Sequence, residues 1–464
     1  MTTIDAAAIS PWLADVGPLH ARAPLPGDAD VDIAILGAGF TGLWTAFELQ
    51  RRDPSLRIGI VEAQVAGFGG SGRNGAWCVA GLGITIGELA RRYGDDTARR
   101  MTTVLRETVD EIGRTCAASI PEADFFKGGV LRLARGPQEV AAVEAAYTLR
   151  RRLGLDDGCR LLSAAEVRDR VAVADVEAAM DDAHCATIHP GRLVRGLADR
   201  VEAAGATLWE QTSVTAIKPG ANGARPALVT DAGTVRADVV VVAGEAYLAQ
   251  LPQFHRHVLP VYSLAVMTEP LTAAQREAIG WTGRECLSSQ RLSVDYASIT
   301  ADGRILFGGR GAPYRMGSSI QPQYDRHEPT HDWLRRQLVE WFPALQGIGF
   351  TAAWGGPVAM PRDWMPTFSY RPQTGMAAAF GYTGQGVAAS NLAGRILADL
   401  ITGSGAKWSR LPVVGHRPRQ WEPEPLRWLA VRFLQSTLGR IDDRARATGR
   451  PPSGRTLAER LVRH

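Results

Sequence analysis

The N-terminal part of the chain carries a short apolar run, a glycine-rich turn and an amphipathic segment in direct succession. Residues 31–36 are almost continuously apolar, which predicts a strand buried on both faces. Residues 37–42 contain three glycines, and the segment after them has helical spacing that stops before a proline. A second apolar run, at residues 57–61, ends at Glu62. This order predicts a strand–helix–strand unit with two parallel strands.

Further apolar runs and amphipathic segments continue along the chain. Strands are predicted at residues 129–134, 207–214, 227–230 and 238–242. Helices are predicted at residues 87–93, 99–119, 137–153, 164–170, 191–204, 330–341 and 388–401. Strands and helices alternate in some regions, whereas other regions are typical of antiparallel sheet. No repeat with a period of tens of residues is present, which excludes solenoids and propellers. The pattern predicts an α/β (overall α+β) protein.

The C-terminal tail, residues 407–464, is rich in proline and arginine. One amphipathic helix is predicted in it, with a single apolar face formed by Leu426, Leu429, Phe433, Leu438 and Ile441. We expect this face to pack against the body of the protein, and a membrane-surface helix is the alternative. No function is predicted for the tail.

Composition and charge exclude several classes of protein. Of the 464 residues, 45% are apolar and 22% are charged, which excludes a disordered, collagen-like or disulfide-scaffold chain. The length is sufficient for roughly three domains. The 52 basic and 48 acidic residues leave a formal charge of +4, and the arginines are scattered among acids. Nucleic-acid binding is therefore not predicted.

Cysteine usage and hydropathy predict the cellular environment. The five cysteines are odd in number and contain no C-x-x-C pair, which disfavours a disulfide framework or a zinc cluster and fits a reducing compartment. The first thirty residues lack the apolar core of a signal peptide. No apolar run approaches the ~20 residues that span a bilayer. We expect a soluble, cytoplasmic protein that does not contact a membrane.

The glycine-rich turn has the spacing G-x-G-x-x-G, with a strand before it and a helix after it. Gly37 allows the tight turn, Gly39 lets the backbone approach a pyrophosphate, and Gly42 lets the helix lie close to the strand. The first N–H groups of that helix then face the phosphates. Glu62, at the tip of the second strand, is placed to accept hydrogen bonds from the ribose hydroxyls of an adenosine. The turn therefore predicts a dinucleotide site, for FAD or for NAD.

Three further motifs carry a family resemblance. Residues 67–75 read Gly-Phe-Gly-Gly-Ser-Gly-Arg-Asn-Gly, residues 240–244 read Val-Val-Val-Ala-Gly, and residues 381–387 read Gly-Tyr-Thr-Gly-Gln-Gly-Val before a helix. Together with the first glycine turn, they resemble the D-amino-acid-oxidase-like family of FAD-dependent oxidoreductases. Trp12, residues 24–28 and the second glycine loop are similar to the gamma-glutamylputrescine-oxidase-like branch of that family.

The resemblance implies a fold, a division into domains and a cofactor. It implies an FAD-binding Rossmann-like domain of the glutathione-reductase type, interleaved with a substrate domain built on an antiparallel sheet. The FAD-binding domain would comprise residues 1–90, 185–250 and 350–406, the substrate domain residues 91–184 and 251–349. Non-covalent FAD is implied, with contacts from Gly37, Gly39, Phe40, Thr41, Gly42, Glu62, Ala63, Ser71, Gly72, Arg73, Asn74, Gly75, Val214, Gly244, Gly381, Gly384, Gln385, Gly386 and Val387.

The resemblance also implies a reaction, namely oxidation of a C–N bond in an amine or amino acid by hydride transfer to flavin N5. The imine formed hydrolyses, and O₂ or another acceptor reoxidises the flavin. No general base is needed for a neutral amine, so no catalytic residue is predicted. Aromatic residues that could line the substrate face are Tyr262, Trp354 and Tyr382. The alternatives are an NAD-dependent Rossmann dehydrogenase and a flavoprotein that acts on modified tRNA. The identity of the amine and the oligomeric state stay open.

Many oxidases of this family place a lysine near flavin N5. The position of Lys127 does not match such a lysine, and Arg310 or a water network could substitute for it. Oxidase and dehydrogenase therefore both stay open. Cys78 follows the second glycine loop but is expected to be a small buried residue, not a flavin attachment point. His327 and His331 fit H-E-x-x-H, yet Pro329 between them places His327 outside the helix, so no metal is predicted.

Overall fold

The computed structural model describes residues 3–311 and 313–461. Within this part of the chain, one mixed sheet of six strands carries the dinucleotide unit, and five of the strands are parallel. Its order is Thr207–Trp209, Ile58–Val61, Ile33–Leu36, Val239–Val242, Met376–Phe380 and the antiparallel edge strand Thr367–Arg371. The four residues of Val239–Val242 are all buried, as expected for a strand covered on both faces. The predicted strand–helix–strand unit is confirmed.

Four helices pack on this sheet and on one another: Phe40–Arg52, Asp95–Ser119, Pro190–Ala203 and Gly386–Ile401. The helix Phe40–Arg52 lies directly against Gly386–Ile401. At Gly394, a Cβ atom would lie 2.7 Å from the backbone carbon of Trp44, so the helices approach each other through a glycine. This contact places the front and rear motifs of the sequence side by side.

A second sheet of eight strands forms the other half of the molecule. Its order is Phe350–Met360, Leu259–Thr268, Ile305–Arg310, Asp295–Ile299, Cys286–Ser288, Val130–Arg135, Val176–Asp182 and Cys159–Ser163. All neighbouring pairs are antiparallel except Cys286–Ser288 with Val130–Arg135. The helix Glu328–Trp341 packs through Leu334, Leu338 and Trp341 on one face of this sheet. The fold class is therefore as predicted.

The remaining elements are short. A four-stranded sheet contains Val214–Lys218, Ala227–Thr230, Thr234–Arg236 and Ala29–Asp30. Two strand pairs are Trp77–Val79 with Cys185–Thr187 and Thr3–Ile4 with Leu19–His20. Further helices are Ala6–Ile9, Pro11–Ala14, Ile86–Tyr93, Pro137–Arg152, Ala164–Arg168, Ala273–Ile279, Leu426–Thr448 and Leu457–Leu461.

Three elements of the predicted organisation differ from the structure. The strand predicted at residues 207–214 is two strands, Thr207–Trp209 and Val214–Lys218, which lie in different sheets. The strand Phe350–Met360, predicted in the FAD-binding domain, pairs along its length with Leu259–Thr268 of the large sheet. The helix Asp95–Ser119, predicted in the substrate domain, packs in the core beside the dinucleotide sheet.

The tail helix Leu426–Thr448 does not pack as predicted. Leu426, Leu429 and Phe433 are 60%, 54% and 49% exposed. The buried side of the helix contains Arg427, Val431, Asp442 and Ala445, because Arg427 and Asp442 hydrogen-bond to loops of the body.

Among the described residues, no helix is long and apolar enough to cross a membrane. The cytoplasmic location remains a prediction.

Candidate active site

The first glycine turn has the conformation that its sequence requires. Gly37 has φ +100°, and a Cβ atom there would lie 2.8 Å from the carbonyl oxygen of Ala243. A Cβ atom on Gly42 would overlap the carbonyl oxygen of Gly37. Gly39 precedes the helix Phe40–Arg52 and has no side chain to cap it. The Phe40 N–H donates to the Ser71 hydroxyl, and the N–H groups of Thr41 and Gly42, which follow in the first helical turn, are the ones that suit an anion.

Glu62 follows the strand Ile58–Val61 and lies beside this turn. Its carboxylate accepts hydrogen bonds from the backbone N–H groups of Ala38 and Gln64, both at 2.9 Å. Burial raises the pKa of Glu62 to about 7, despite these hydrogen bonds. The neighbouring Ala63 is exposed, and Val214 begins the first strand of the small sheet. Glu62 thus has the predicted place at the tip of the second strand.

The second glycine loop is tied to the first turn by Ser71. The Ser71 hydroxyl oxygen accepts a hydrogen bond of 2.7 Å from the backbone N–H of Phe40, the first residue of the helix. The Asn74 amide donates to the carbonyl oxygen of Ser71 and its oxygen accepts from the N–H of Ala76, both at 2.9 Å. A Cβ atom on Gly72 would overlap the carbonyl oxygen of Gly67, so the loop is folded tightly on itself.

The Arg73 side chain, predicted to contact the cofactor, is engaged by protein groups. It is buried, donates to the carbonyl oxygen of Phe68 at 2.7 Å, and forms an ion pair with Asp325. The guanidinium carbon lies 4.5 Å from the centre of the Phe68 ring. Arg73 therefore joins the second glycine loop to the segment before helix Glu328–Trp341.

Glu245 is a residue of the site that the sequence patterns did not single out. It follows Gly244 at the end of the strand Val239–Val242 and has φ +46°. Its carboxylate accepts hydrogen bonds from the N–H groups of Gly381 at 2.8 Å and Tyr382 at 3.2 Å. Burial raises the pKa of Glu245 to about 7. The acid thus fixes the C-terminal motif at the end of the central strand.

The C-terminal motif also contacts the first glycine turn. The hydroxyl groups of Tyr382 and Thr41 are hydrogen-bonded at 2.7 Å, in the buried core. Gly381 and Gly384 have φ +89° and +87°, so the loop needs glycine at both positions. Gly384 is exposed and Gln385 and Gly386 are partly exposed at the start of the helix, while Val387 is buried. The start of this helix is therefore partly exposed, and it lies in the chain shortly after the Tyr382 that bonds to the first turn.

The three aromatic residues predicted to line a substrate face do not share one surface. Tyr382 lies in the core beside the dinucleotide sheet. Tyr262 lies under helix Glu328–Trp341, whereas Trp354 packs with Trp12 on the opposite face of the large sheet. Side chains alternate between the two faces of a sheet along each strand, so Tyr262 and Trp354 point to opposite faces. The prediction that all three aromatic residues line one substrate face is therefore wrong.

Tyr296 is a second site residue without a sequence signal. Its ring occupies the space where Cβ atoms of Gly75 and Gly308 would lie, so the second glycine loop and the large sheet meet on this ring. Its hydroxyl lies 3.5 Å from the Ser263 hydroxyl. Tyr296 and Trp77 contact edge to face, with centroids 5.7 Å apart. These groups lie where the second glycine loop meets the large sheet.

Several residues considered from sequence lie apart from the site or are structural. Lys127 forms an ion pair with Asp110, and the side chain of Arg310 lies outside the described part of the structure. Cys78 is fully buried, and burial raises the pKa of its thiol well above the usual value, so it is a poor nucleophile.

The H-E-x-x-H pattern does not form a metal site in this structure. His327 precedes the helix Glu328–Trp341 and hydrogen-bonds to Thr330 at 2.8 Å, as Pro329 in the first turn predicts. His331 is buried and hydrogen-bonds to the carbonyl oxygen of Trp354 at 3.1 Å. The two imidazoles therefore have separate protein partners.

The groups gathered at the first glycine turn fit FAD. The open helix start suits a pyrophosphate, and the Glu62 carboxylate keeps acceptor capacity for ribose hydroxyls beyond its two backbone donors. The open start of helix Gly386–Ile401 suits the electron-rich edge of a reduced flavin. NAD would use the first two features and would leave the third without a partner.

The Thr41–Tyr382 hydrogen bond gives a first prediction. Tyr382→Phe leaves the buried Thr41 hydroxyl without its partner, so we expect the free energy of unfolding to fall by about 1–2 kcal/mol. Thr41→Val should have a similar effect, and the double variant should lose less than the sum, because both polar groups are then gone. Thermal unfolding of the four proteins measures this coupling. Strictly additive losses would contradict a direct interaction between the front and rear motifs.

Glu62 gives a second prediction: replacing it should raise the stability of the apoprotein and lower its affinity for FAD. Because burial raises the pKa of Glu62 to about 7, this group's contribution to the stability of the apoprotein should fall as the pH rises from about 4.5 to 7. Glu62→Gln removes this loss, so the apo variant should be more stable than the apo parent at pH 8. At pH 8, where the parent carboxylate is ionised, the same variant should bind FAD about tenfold more weakly, since a charged acceptor for the ribose is gone. Unchanged FAD affinity would contradict the assigned role.

Comparisons with known proteins agree with this site. Residues 32–400 match the model of the DAO family, described as FAD dependent oxidoreductase. Gamma-glutamylputrescine oxidoreductase of Escherichia coli K12 is 30% identical over 83% of this chain and 87% of its own length. Glycine oxidase of Geobacillus kaustophilus HTA426 is 26% identical over 80% of this chain and 92% of its own length.

Solved structures show the same fold. The crystal structure of glycine oxidase from Geobacillus kaustophilus superposes with a TM-score of 0.67 at 22% identity, covering 84% of this chain and 99% of that chain. L-proline dehydrogenase from P. horikoshii superposes with a TM-score of 0.66 at 21% identity, covering 84% of this chain and 96% of that chain. The family match, the relatives and the converging motifs lead to one conclusion: this chain belongs to the DAO family of FAD-dependent oxidoreductases.

Proposed function

We propose that this FAD-dependent enzyme oxidises a C–N bond of an amine or amino acid and passes the electrons to O₂. The observation that carries the proposal is the convergence of the other sequence motifs on the first glycine turn. Glu62, Ser71 and Tyr382 hydrogen-bond to that turn. Glu245, directly after the motif at residues 240–244, bonds to the C-terminal motif. The relatives support the substrate class, since their names describe a gamma-glutamylated amine and an amino acid as substrates. A cytoplasmic location is part of the proposal.

The chain would hold FAD along the first turn. The N–H groups at the start of helix Phe40–Arg52 would bind the pyrophosphate, and Glu62 would bind the adenosine ribose. When bound, FAD supplies a two-electron acceptor for a hydride from the carbon beside the nitrogen. The start of helix Gly386–Ile401 would stabilise the negative charge that builds up on the flavin.

The large sheet would supply the substrate side of the site. The Tyr296 and Ser263 hydroxyls are the polar groups that we expect to orient the amine, because they lie beside Gly75 of the second glycine loop. The buried cluster around Trp12 and Trp354 would exclude water from the same side. No residue need take a proton from carbon when the amine reacts in its neutral form, so these groups orient the substrate and do not act as bases.

An anaerobic experiment tests the reaction class. The purified yellow protein is mixed without oxygen with a panel of amines that includes gamma-glutamylated diamines, N-alkyl amino acids and glycine. We expect at least one amine to bleach the flavin absorbance near 450 nm, and air to restore it with formation of hydrogen peroxide. Bleaching by NADH and by no amine would overturn the proposal. Bleaching by an amine without recovery in air would keep the substrate class and replace O₂ by another acceptor.

A further inference from the structure

The family match ends at residue 400, yet the tail beyond it reaches back to the proposed site. The tail contacts residues 313–325, which follow the strand Ile305–Arg310 and precede the helix Glu328–Trp341. This stretch is called the bridging segment below. It is fixed at one end by the second glycine loop and at the other by the tail.

The inner end of the bridging segment lies at the candidate site. Asp325 forms the ion pair with Arg73 of the second glycine loop. A Cβ atom on Gly356 would lie 3.2 Å from the Arg73 side chain, which places the pair beside the large sheet. The neighbouring Tyr324 contacts the Tyr262 ring edge to face, with centroids 6.2 Å apart. The inner end of the segment therefore lies where the second glycine loop meets the edge strand of the large sheet.

The outer end is held by one carboxylate of the tail. Glu424 accepts hydrogen bonds from the Tyr314 hydroxyl at 2.7 Å and from the backbone N–H of Gly317 at 3.0 Å. The side-chain oxygen of Gln435 accepts from the N–H of Tyr314 at 3.2 Å. Tyr314 is only 2% exposed and also contacts the Ser318 hydroxyl at 3.2 Å. Glu424 thus binds two separate points of the segment.

Glu424 is itself held firmly against the body of the protein. Arg427, whose side chain is 1% exposed, donates to the Glu424 carboxylate at 3.1 Å and to the carbonyl oxygen of His255 at 3.1 Å. The Trp421 indole N–H donates to the carbonyl oxygen of Met360 at 2.8 Å. The Glu424 carboxylate therefore has a fixed position relative to the large sheet, and its hydrogen bonds hold the bridging segment in a fixed position as well.

We propose that Glu424 is a positioning residue for the reaction: through Tyr314 and Gly317 it holds the bridging segment in place, and the segment forms one wall of the substrate site. This inference rests on the proposed function, because the wall matters only where a substrate binds. Loss of the Glu424 carboxylate removes two of the hydrogen bonds that hold the outer end of the segment, while Gln435 still accepts from Tyr314 and Gln250 still donates to Ser318. The segment therefore gains conformational freedom that substrate binding must then remove. The expected consequence is weaker substrate binding with an unchanged flavin.

The first measurement needs no substrate. Arg315 lies in the bridging segment, with its guanidinium carbon 4.4 Å from the centre of the Tyr324 ring, and we expect the anchored segment to slow tryptic cleavage after it. In Glu424→Ala holoenzyme we expect cleavage after Arg315 to be about tenfold faster than in the parent, as expected for loss of hydrogen bonds to a charged group. Tyr314→Phe, which keeps the carboxylate and its bond to Arg427, should show a smaller increase. Parental cleavage rates in both variants would overturn the proposal.

The second measurement uses the best amine from the anaerobic panel. Glu424→Ala should raise KM about tenfold and change kcat less than twofold, with the flavin spectrum unaltered. Glu424→Gln, which keeps an acceptor for Tyr314, should recover part of the KM. Arg446→Ala is the matched control, since its 2.9 Å ion pair with Asp175 anchors the far end of the same helix, and it should change neither KM nor cleavage.

The outcomes separate the two proposals. Faster cleavage after Arg315 with no amine able to bleach the flavin would contradict the proposed function and retain the anchor. A parental KM in Glu424→Ala, with an active amine in hand, would overturn the positioning role and leave the proposed function intact. A tenfold rise in KM for Arg446→Ala as well would show a general effect of the tail and would also overturn a specific role of Glu424.

Discussion

Gly42→Ala is expected to yield a colourless protein whose affinity for FAD is lower by about 100-fold or more, the equivalent of about 2.8 kcal/mol. The added Cβ atom would overlap the carbonyl oxygen of Gly37, and both partners are backbone. The turn must therefore open, which moves the first helical N–H groups away from the pyrophosphate position. Equilibrium titration of the apoprotein with FAD, followed by flavin fluorescence, measures the loss.

Gly439→Ala is the matched control for this substitution. Gly439 lies in the tail helix, and a Cβ atom there would meet no atom within 4 Å. Because alanine is favoured over glycine within a helix by roughly 1 kcal/mol, this variant should bind FAD normally and be slightly more stable. Normal yellow colour and parental FAD affinity in Gly42→Ala would contradict the place that we give to the turn.

Arg73→Ala is expected to lower the free energy of unfolding by about 3 kcal/mol or more. The substitution leaves the Asp325 carboxylate without its partner in a site that is largely closed to water, and removes the contact with the Phe68 ring. Removing one member of a buried ion pair costs roughly 3–5 kcal/mol for this reason. Thermal unfolding of the holoenzyme should show a midpoint several degrees lower.

An exposed ion pair provides the control for Arg73. Arg57 pairs with Asp32 at 2.6 Å, but its side chain is 63% exposed, so Arg57→Ala should cost less than about 1 kcal/mol. Replacing both Arg73 and Asp325 by apolar residues of similar size should restore part of the stability that Arg73→Ala loses, since no unpaired charge remains. Equal effects of Arg73→Ala and Arg57→Ala would contradict the structural role of the buried pair.

The dinucleotide unit could be predicted from sequence because its requirements are local. A continuous apolar strand, glycines at fixed spacing and an acid at the next strand end all follow from contacts between near neighbours. Residues 31–62 therefore fold as expected. The pairing of the strand Phe350–Met360 with Leu259–Thr268 could not be predicted, because the two strands lie far apart in sequence and no local pattern specifies the pairing.

Parts of the site depend on such distant contacts and could not be predicted. Glu245 is one acid among many in the sequence, and only the fold brings it to the N–H groups of Gly381 and Tyr382. Tyr296 fills space that two distant glycines leave open. Arg73 sits in a predicted cofactor loop, but its charge is matched by Asp325, a residue more than 200 positions away.

The tail helix shows the same limit for an amphipathic pattern. Its apolar residues predicted the packed face, yet Leu429 and Phe433 face outward. Arg427 and Asp442 are buried instead because each finds backbone partners in the body, at His255 for the arginine and at Leu292 and Ser293 for the aspartate. A prediction of the buried helix face from hydrophobicity alone does not identify such residues, because charged groups can be buried where they have hydrogen-bond partners.

The central claim is that the glycine turn, Glu62 and the C-terminal helix surround a single FAD. Its most direct test is to denature the purified protein and to identify and count the released cofactor by chromatography, absorbance and mass. Our account predicts one FAD released per polypeptide from the parent, and almost none retained by Gly42→Ala. Release of a nicotinamide dinucleotide, or a parent chain that binds no FAD when it is offered, would contradict it.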